Sequence, residues 1–190
     1  MNSRERVLTA LNHKEPDRVP YDMGGTVVTG IQAKAYSRLR KYLGLPEKEV
    51  VIIDILQQLA QVDDDVMERL GVDFRNISPR STASFKIELK LTPDGRYSYF
   101  HDEYQIGWRM PTDGGMYYDM FEHPLSGEIT PDMVDKYTLP DPLDPSRFDG
   151  LRQAATKVLE EEKRALVIGN ISAGIFELSL WTRGFKEGYT

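Results

Sequence analysis

Cysteine is absent from all 190 residues. Disulfides and thiolate metal ligands are therefore excluded within this stretch, and the composition fits a reducing cytoplasm. Histidine is scarce at three, so few imidazoles are available for acid–base or metal chemistry. Positive charge is also in deficit: 24 Lys and Arg against 30 Asp and Glu leave a net charge of −6. An acidic chain of this kind does not present a general nucleic-acid surface, and it disfavours unspecific attraction of a polycarboxylate. No apolar run nears the roughly 18 residues needed to span a membrane, and no signal-peptide core opens the chain. Internal repeats and low-complexity tracts are missing too. The expectation is a cytoplasmic protein acting on a small molecule or a protein partner, without nucleic acid or membrane.

The first 25 residues carry the most information. Met1 to His13 reads as a short amphipathic helix, with Val7, Leu8 and Leu11 on one face, Arg4, Glu5 and Arg6 on the other, and Asn2 or Ser3 as cap. Glu15-Pro16-Asp17 breaks it. Arg18-Val19-Pro20-Tyr21-Asp22-Met23-Gly24-Gly25 reads as a buried strand running into a glycine turn.

Further along, Ile31 to Leu43 has helical spacing and ends at Gly44-Leu45-Pro46. Val50 to Leu56 is apolar and β-branched, ambiguous between strand and helix. Asp63-Asp64-Asp65 opens a helix whose dipole it complements, read as a solvated cap; Gly71 closes it and Val72 to Ile77 is the next strand. From about 85 to 125 the pattern changes to antiparallel strands: Phe85–Leu91, a Pro93-Asp94-Gly95 turn, Tyr97–Tyr104, Ile106–Met110, a Gly114-Gly115 turn, and Met116–Met120. Five of the ten tyrosines lie in it (Tyr97, Tyr99, Tyr104, Tyr117, Tyr118). Such a segment suits a flat ligand, or simply reflects strand propensity. A short helix at Thr130-Pro131-Asp132, a longer one over Pro145–Lys163, a strand over Arg164–Asn170 and a helix over Ile175–Arg183 complete the chain. The alternation of strands and helices predicts an α/β fold.

In a barrel of alternating strands and helices, chemistry sits at the C-terminal strand ends. Asp22 is placed there as a catalytic carboxylate, or else as a cap of the Gly24-Gly25 turn. Asn170 and Ser172 follow a strand and are candidates for binding substrate, or ordinary turn residues. His101-Asp102-Glu103 is the one dense titratable cluster with a histidine. On a strand, His101 and Glu103 would share a face as two metal ligands or an acid–base pair, making His101 the second catalytic candidate; the bland reading is a solvated hairpin face. Trp108 and Tyr104 are candidates for a substrate wall, or packed aromatics. Arg80 is a further substrate-binding candidate. No metal site is assigned.

Arg4-Glu5-Arg6-Val7-Leu8-Thr9-Ala10-Leu11-Asn12-His13 followed by Glu15-Pro16-Asp17-Arg18-Val19-Pro20 resembles the start of the uroporphyrinogen decarboxylase-like superfamily, which includes decarboxylases of haem and porphyrin biosynthesis and corrinoid-dependent methyltransferases. Met67-Glu68-Arg69-Leu70-Gly71-Val72-Asp73-Phe74, Leu139-Pro140-Asp141-Pro142, and Val167-Ile168-Gly169-Asn170 through Arg183-Gly184-Phe185 continue the resemblance in order over nearly the whole chain. It implies a (β/α)8 TIM-type barrel. A full barrel takes about 250 residues, so residues 1–190 are expected to be its N-terminal portion, with an antiparallel β-hairpin insertion at about 85–125. A complete small α/β domain is the alternative.

The resemblance also implies site residues. The decarboxylase branch grips substrate carboxylates with an arginine pair; threading that motif without a gap puts the two positions at Gly25 and Thr29. The branch's catalytic aspartate falls at or near Arg80, and its active-site tyrosine at Leu180. Those replacements point away from the carboxy-lyase activity and toward the methyltransferase branch: methyl transfer between a methylated corrinoid and an acceptor, with a corrinoid protein as partner. Zinc, bound by His and Cys late in the barrel, and a corrinoid are implied for the whole protein, with no cofactor held by this stretch. Decarboxylation of uroporphyrinogen and a non-catalytic binding module remain the alternatives. Residues 1–190 alone are expected to be inactive and to self-associate through open sheet edges.

Overall fold

The computed structural model describes residues 1–169 and 173–189. Helices and strands are mixed, and the sheets are small: two of two strands and one of four, none closed among the described residues. The fold is α/β with an antiparallel part. Two compact units are present. The first comprises Met1–Pro79 and the segment from Phe148 through the last parallel strand; the second comprises Arg80–Arg147 and the C-terminal helices.

In the first unit, α1 (Ser3–Leu11) starts with a reciprocal cap: Asn2 accepts from the Glu5 N–H, and Glu5 accepts from the Asn2 N–H. Its faces differ from the expected ones. Arg6 is buried, while Leu8 and Leu11 are exposed, because two carboxylates draw the guanidinium inward. Residues 18–22 form no strand, and Val19 is 82% exposed. Pro20 lacks an N–H, and the Tyr21 N–H is spent on the Asp73 carboxylate (2.9 Å). Only the Asp73 N–H to Tyr21 carbonyl bond (2.8 Å) remains for pairing.

The helix α2 (Ala33–Tyr42) is capped by Gln32 and leaves through Gly44 at φ +70°. The hairpin β1 (Ile52–Asp54) and β2 (Leu59–Ala60) precedes α3 (Asp64–Leu70), which ends at left-handed Gly71. Tyr36, Ala60, Val62, Val66, Met67 and Val72 form the core here. Burying each large side chain contributes about 1.5–3 kcal/mol. The aspartate triplet is more than a solvated cap. Arg40, only 2% exposed, inserts between Asp63 and Asp65 (2.8 Å each), and Tyr36 donates to Asp63 (2.7 Å).

The strand β3 (Phe74–Ile77) pairs in parallel with β8 (Ala165–Ile168), with Phe74 opposite Ala165 and Ile77 opposite Ile168. Parallel neighbours require a crossover, and α5 (Leu151–Lys157) supplies it, packing on β3. The single helix expected over 145–163 is broken: Gly150 sits at φ +78°, a 3-10 turn precedes it, and a π turn covers Val158–Glu162.

The second unit is built on the antiparallel sheet β4 (Lys90–Leu91), β5 (Tyr97–His101), β6 (Gly107–Pro111) and β7 (Asp119–Glu122), in that order. The expected hairpin turns at Gly95, φ +67°. Alternation sends Phe100 and Trp108 inward, with Ile106 and Tyr118 also buried. The helix α4 (Pro131–Lys136) starts at Thr130, and α6 (Ile175–Arg183) and α7 (Phe185–Gly188) follow β8 in the chain. Trp181 of α6 meets Trp108 edge to face at 5.4 Å. No helix among the described residues is long and apolar enough to cross a membrane.

Candidate functional site

Two polar constellations belong to the first unit, at opposite ends of β3. At the entry, Asp73 is wholly buried. One carboxylate oxygen accepts from Arg6 (2.6 Å) and Arg18 (3.0 Å), the other from Arg18 (2.8 Å) and the Tyr21 N–H (2.9 Å). Arg6 also grips Asp17 through two nitrogens, at 2.6 and 2.9 Å. Burial acts to raise the Asp73 carboxyl, but the Tyr21 N–H, the Ser3 hydroxyl and the two arginines outweigh it and hold its pKa below the usual value. Asp17 is held down to about 2, chiefly by Arg6. The four side chains pair with one another, and the arginines also donate to the Met1, Val19 and Gly71 carbonyls, so this network ties α1 and the following segment to β3.

At the exit, Asn76 and Ser78 stand over Gly169. The Asn76 side-chain oxygen accepts from the Gly169 N–H (2.9 Å) and from Ser78 (3.2 Å). A Cβ on Gly169 would meet both oxygens at 2.7 Å, so glycine is what lets them converge there. In open α/β sheets, ligands bind outside the C-terminal ends of the strands. This edge is the candidate site, a neutral amide and hydroxyl pair suited to orienting a polar ligand. The strand expected over 72–77 points to Ser78 as the first residue beyond it, whereas no local pattern points to Asn76.

Asp22 lies elsewhere. Tyr21 is tied to Asp73 at the entry of β3, four residues or about 13 Å from Ile77. The Asp22 carboxylate accepts from the Gly25 N–H and the Thr29 hydroxyl, both at 2.9 Å, and a Cβ on Gly25 would strike it at 2.3 Å. It caps the glycine turn. Thr29 is thus engaged with a carboxylate rather than poised to receive one. Asn170 and Ser172 fall outside the described residues.

In the second unit, β5 ends at His101, and the expected pairing with Glu103 is not formed. His101 meets Glu122 (2.7 Å) across the sheet, whereas Glu103 accepts from Arg147 (2.8 Å) and the Thr82 N–H (2.9 Å). Asp102 between them accepts from the Tyr104 and Ile106 N–H groups and from the Trp108 indole (2.8 Å). Burial pushes its carboxyl up despite those bonds. Trp108 is therefore a core residue clasped by Asp102, not an open wall. Tyr104 accepts the Tyr137 hydroxyl on its carbonyl (2.9 Å), and exposed Arg80 bonds Arg147 through both its N–H and its carbonyl, at 3.1 Å each. Leu180 is buried. Two shallow depressions, of about 130 and 240 Å³, occur in this unit. Both are below the roughly 300–1,000 Å³ of a typical ligand pocket.

Among the described residues no three His, Cys, Asp or Glu side chains converge as a metal site, and neither depression would cradle a corrinoid. The described residues would themselves hold neither group. Neither family models nor curated proteins nor solved structures gave a match to the chain.

Proposed function

We propose that the chain is the first part of a uroporphyrinogen decarboxylase-like barrel whose reaction is methyl transfer between a methylated corrinoid substrate and a small polar acceptor. The observation that carries this reading is the β3–α5–β8 unit, whose exit edge gathers Asn76, Ser78 and Gly169. That is where the barrel rule puts ligand contacts. Gly25, Thr29 and Leu180 further support the methyltransferase branch over the decarboxylase. Gly25 and Thr29 serve the turn that Asp22 caps, Leu180 is buried, and none offers a bidentate grip on carboxylate. Asn76 and Ser78 would hold the acceptor by neutral hydrogen bonds and set its orientation.

The test uses the protein expressed from its complete reading frame. Methylcobalamin with a panel of thiol acceptors should be demethylated, read from the corrinoid spectrum and the methylated thiol. Uroporphyrinogen should be left intact. Conversion of uroporphyrinogen to coproporphyrinogen would move the protein to the decarboxylase branch. Loss of neither substrate would overturn both enzymatic readings.

A further inference from the structure

The antiparallel sheet has a second face that the proposed reaction does not use. Tyr97, Tyr99 and His101 project from β5 on the side opposite buried Phe100. Arg109 of β6 stands opposite Tyr99, with Lys90 of β4 in the same row. A bulge at Gly107/Trp108 adds a residue to β7, and Phe121 turns to this face. Its ring packs against Tyr99 (6.0 Å) and His101 (6.2 Å). The ring can lie there because Gly107 has no side chain: a Cβ would stand 3.0 Å from Phe121 and 2.6 Å from Glu122.

The Arg109 guanidinium lies over Tyr97 at 4.8 Å and over Phe121 at 5.3 Å. It makes no hydrogen bond or ion pair among the described residues, although Asp119 faces it in register. The two rings hold the guanidinium in place and leave its donors free, a pre-organised fork for an anion. Around it, Lys86, Lys90 and Arg109 are balanced by Glu88, Asp119 and Glu122, and Glu122 is already engaged with His101. Such a balance gives a polyanion no general attraction and leaves the Arg109 fork for a single negative group. The depression lined by Lys86, Glu88, Lys90, Phe100 and His101 adjoins the row.

We propose that this sheet face binds a planar aromatic molecule carrying one anionic group, its ring against Tyr99, His101 and Phe121 and its phosphate or carboxylate on Arg109. The inference stands on this face alone and does not depend on the reaction proposed above.

Calorimetric titration with adenosine monophosphate, adenosine, inorganic phosphate and 2-naphthoate tests it. At least one ringed anion should bind, with adenosine and phosphate each about tenfold weaker or worse, because each lacks one half of the recognition. A response to the nucleotide alone identifies a phosphate ligand, and a response to naphthoate alone a carboxylate. Arg109→Gln should weaken binding about tenfold at unchanged melting temperature, since the side chain is exposed. Gly107→Ala, which displaces the Phe121 ring, should weaken it independently. No binding by either anion overturns the proposal, as does equal binding by wild type and Arg109→Gln.

Discussion

Replacing Asp73 with asparagine keeps the shape of the side chain and removes its charge. Four hydrogen bonds converge on this carboxylate at 2.6–3.0 Å, and it is 0% exposed. An amide can accept through only one of its two ends, so its NH2 group would face guanidinium or backbone donors. Arg6, at 8% exposure, would keep Asp17 as its one carboxylate, beside the Met1 carbonyl. Breaking a buried pair by removing one partner costs about 3–5 kcal/mol. Two features moderate that figure: Arg18 is 42% exposed and can turn to water, and Asp17 still compensates Arg6. The expected loss is therefore about 3 kcal/mol. For a chain of this size that amounts to roughly 6–12 °C in Tm. Urea denaturation followed by far-UV circular dichroism measures it, and a cycle with Arg6→Gln isolates the pairwise part. A loss below about 1 kcal/mol would refute the reasoning, because the network would then behave like a solvated surface pair.

Arg40→Met should cost less, about 1–2 kcal/mol, since the carboxylates left behind are 31% exposed and Lys48 lies 3.4–3.7 Å away to partner them; a denaturation midpoint shifted as far as in Asp73→Asn would contradict this. Acid should destabilise the fold in a defined window. Asp17 and Asp65 are lowered from 3.8 to about 2, Asp65 chiefly by Arg40, so the folded state binds fewer protons than the unfolded one. Their contribution is complete above about pH 4 and drains as pH falls toward about 2; a stability flat across that range would count against the ion pairs. Gly169→Ala pushes Asn76 and Ser78 off the strand exit and should cost about 1 kcal/mol through the lost amide bond; an unchanged midpoint would show that the edge has slack.

Local rules made much of the fold legible. Asn2 with Glu5, Gly71 after Leu70, Thr130 before Pro131 and the Pro93-Asp94-Gly95 turn each carry their physics within a few neighbouring residues. What escaped depends on distant partners. Arg6 and Arg40 look like solvated helix charges until Asp73, 67 positions away, and Asp63, 23 positions away, bury them. The apolar pattern around Val19 suggests a strand, and the missing N–H of Pro20 together with the diversion of the Tyr21 N–H to a carboxylate prevents one. His101 and Glu103 share a face only if the strand continues, and the Asp102 turn ends it. At the candidate edge, Ser78 was within reach of strand counting, whereas the closeness of Gly169 to Asn76 required the parallel pairing, which no local pattern encodes.

The chain's two tryptophans, Trp108 and Trp181, both belong to the second unit, one against the other. Indole emission is therefore a private signal of that unit and is blind to the Asp73 network, whereas circular dichroism sums over the helices of both. Comparing the two read-outs in one titration turns an accident of residue placement into a measure of cooperativity: superimposable curves mean the units melt as one, and an emission curve that stays put while the dichroism curve moves in Asp73→Asn means they melt apart.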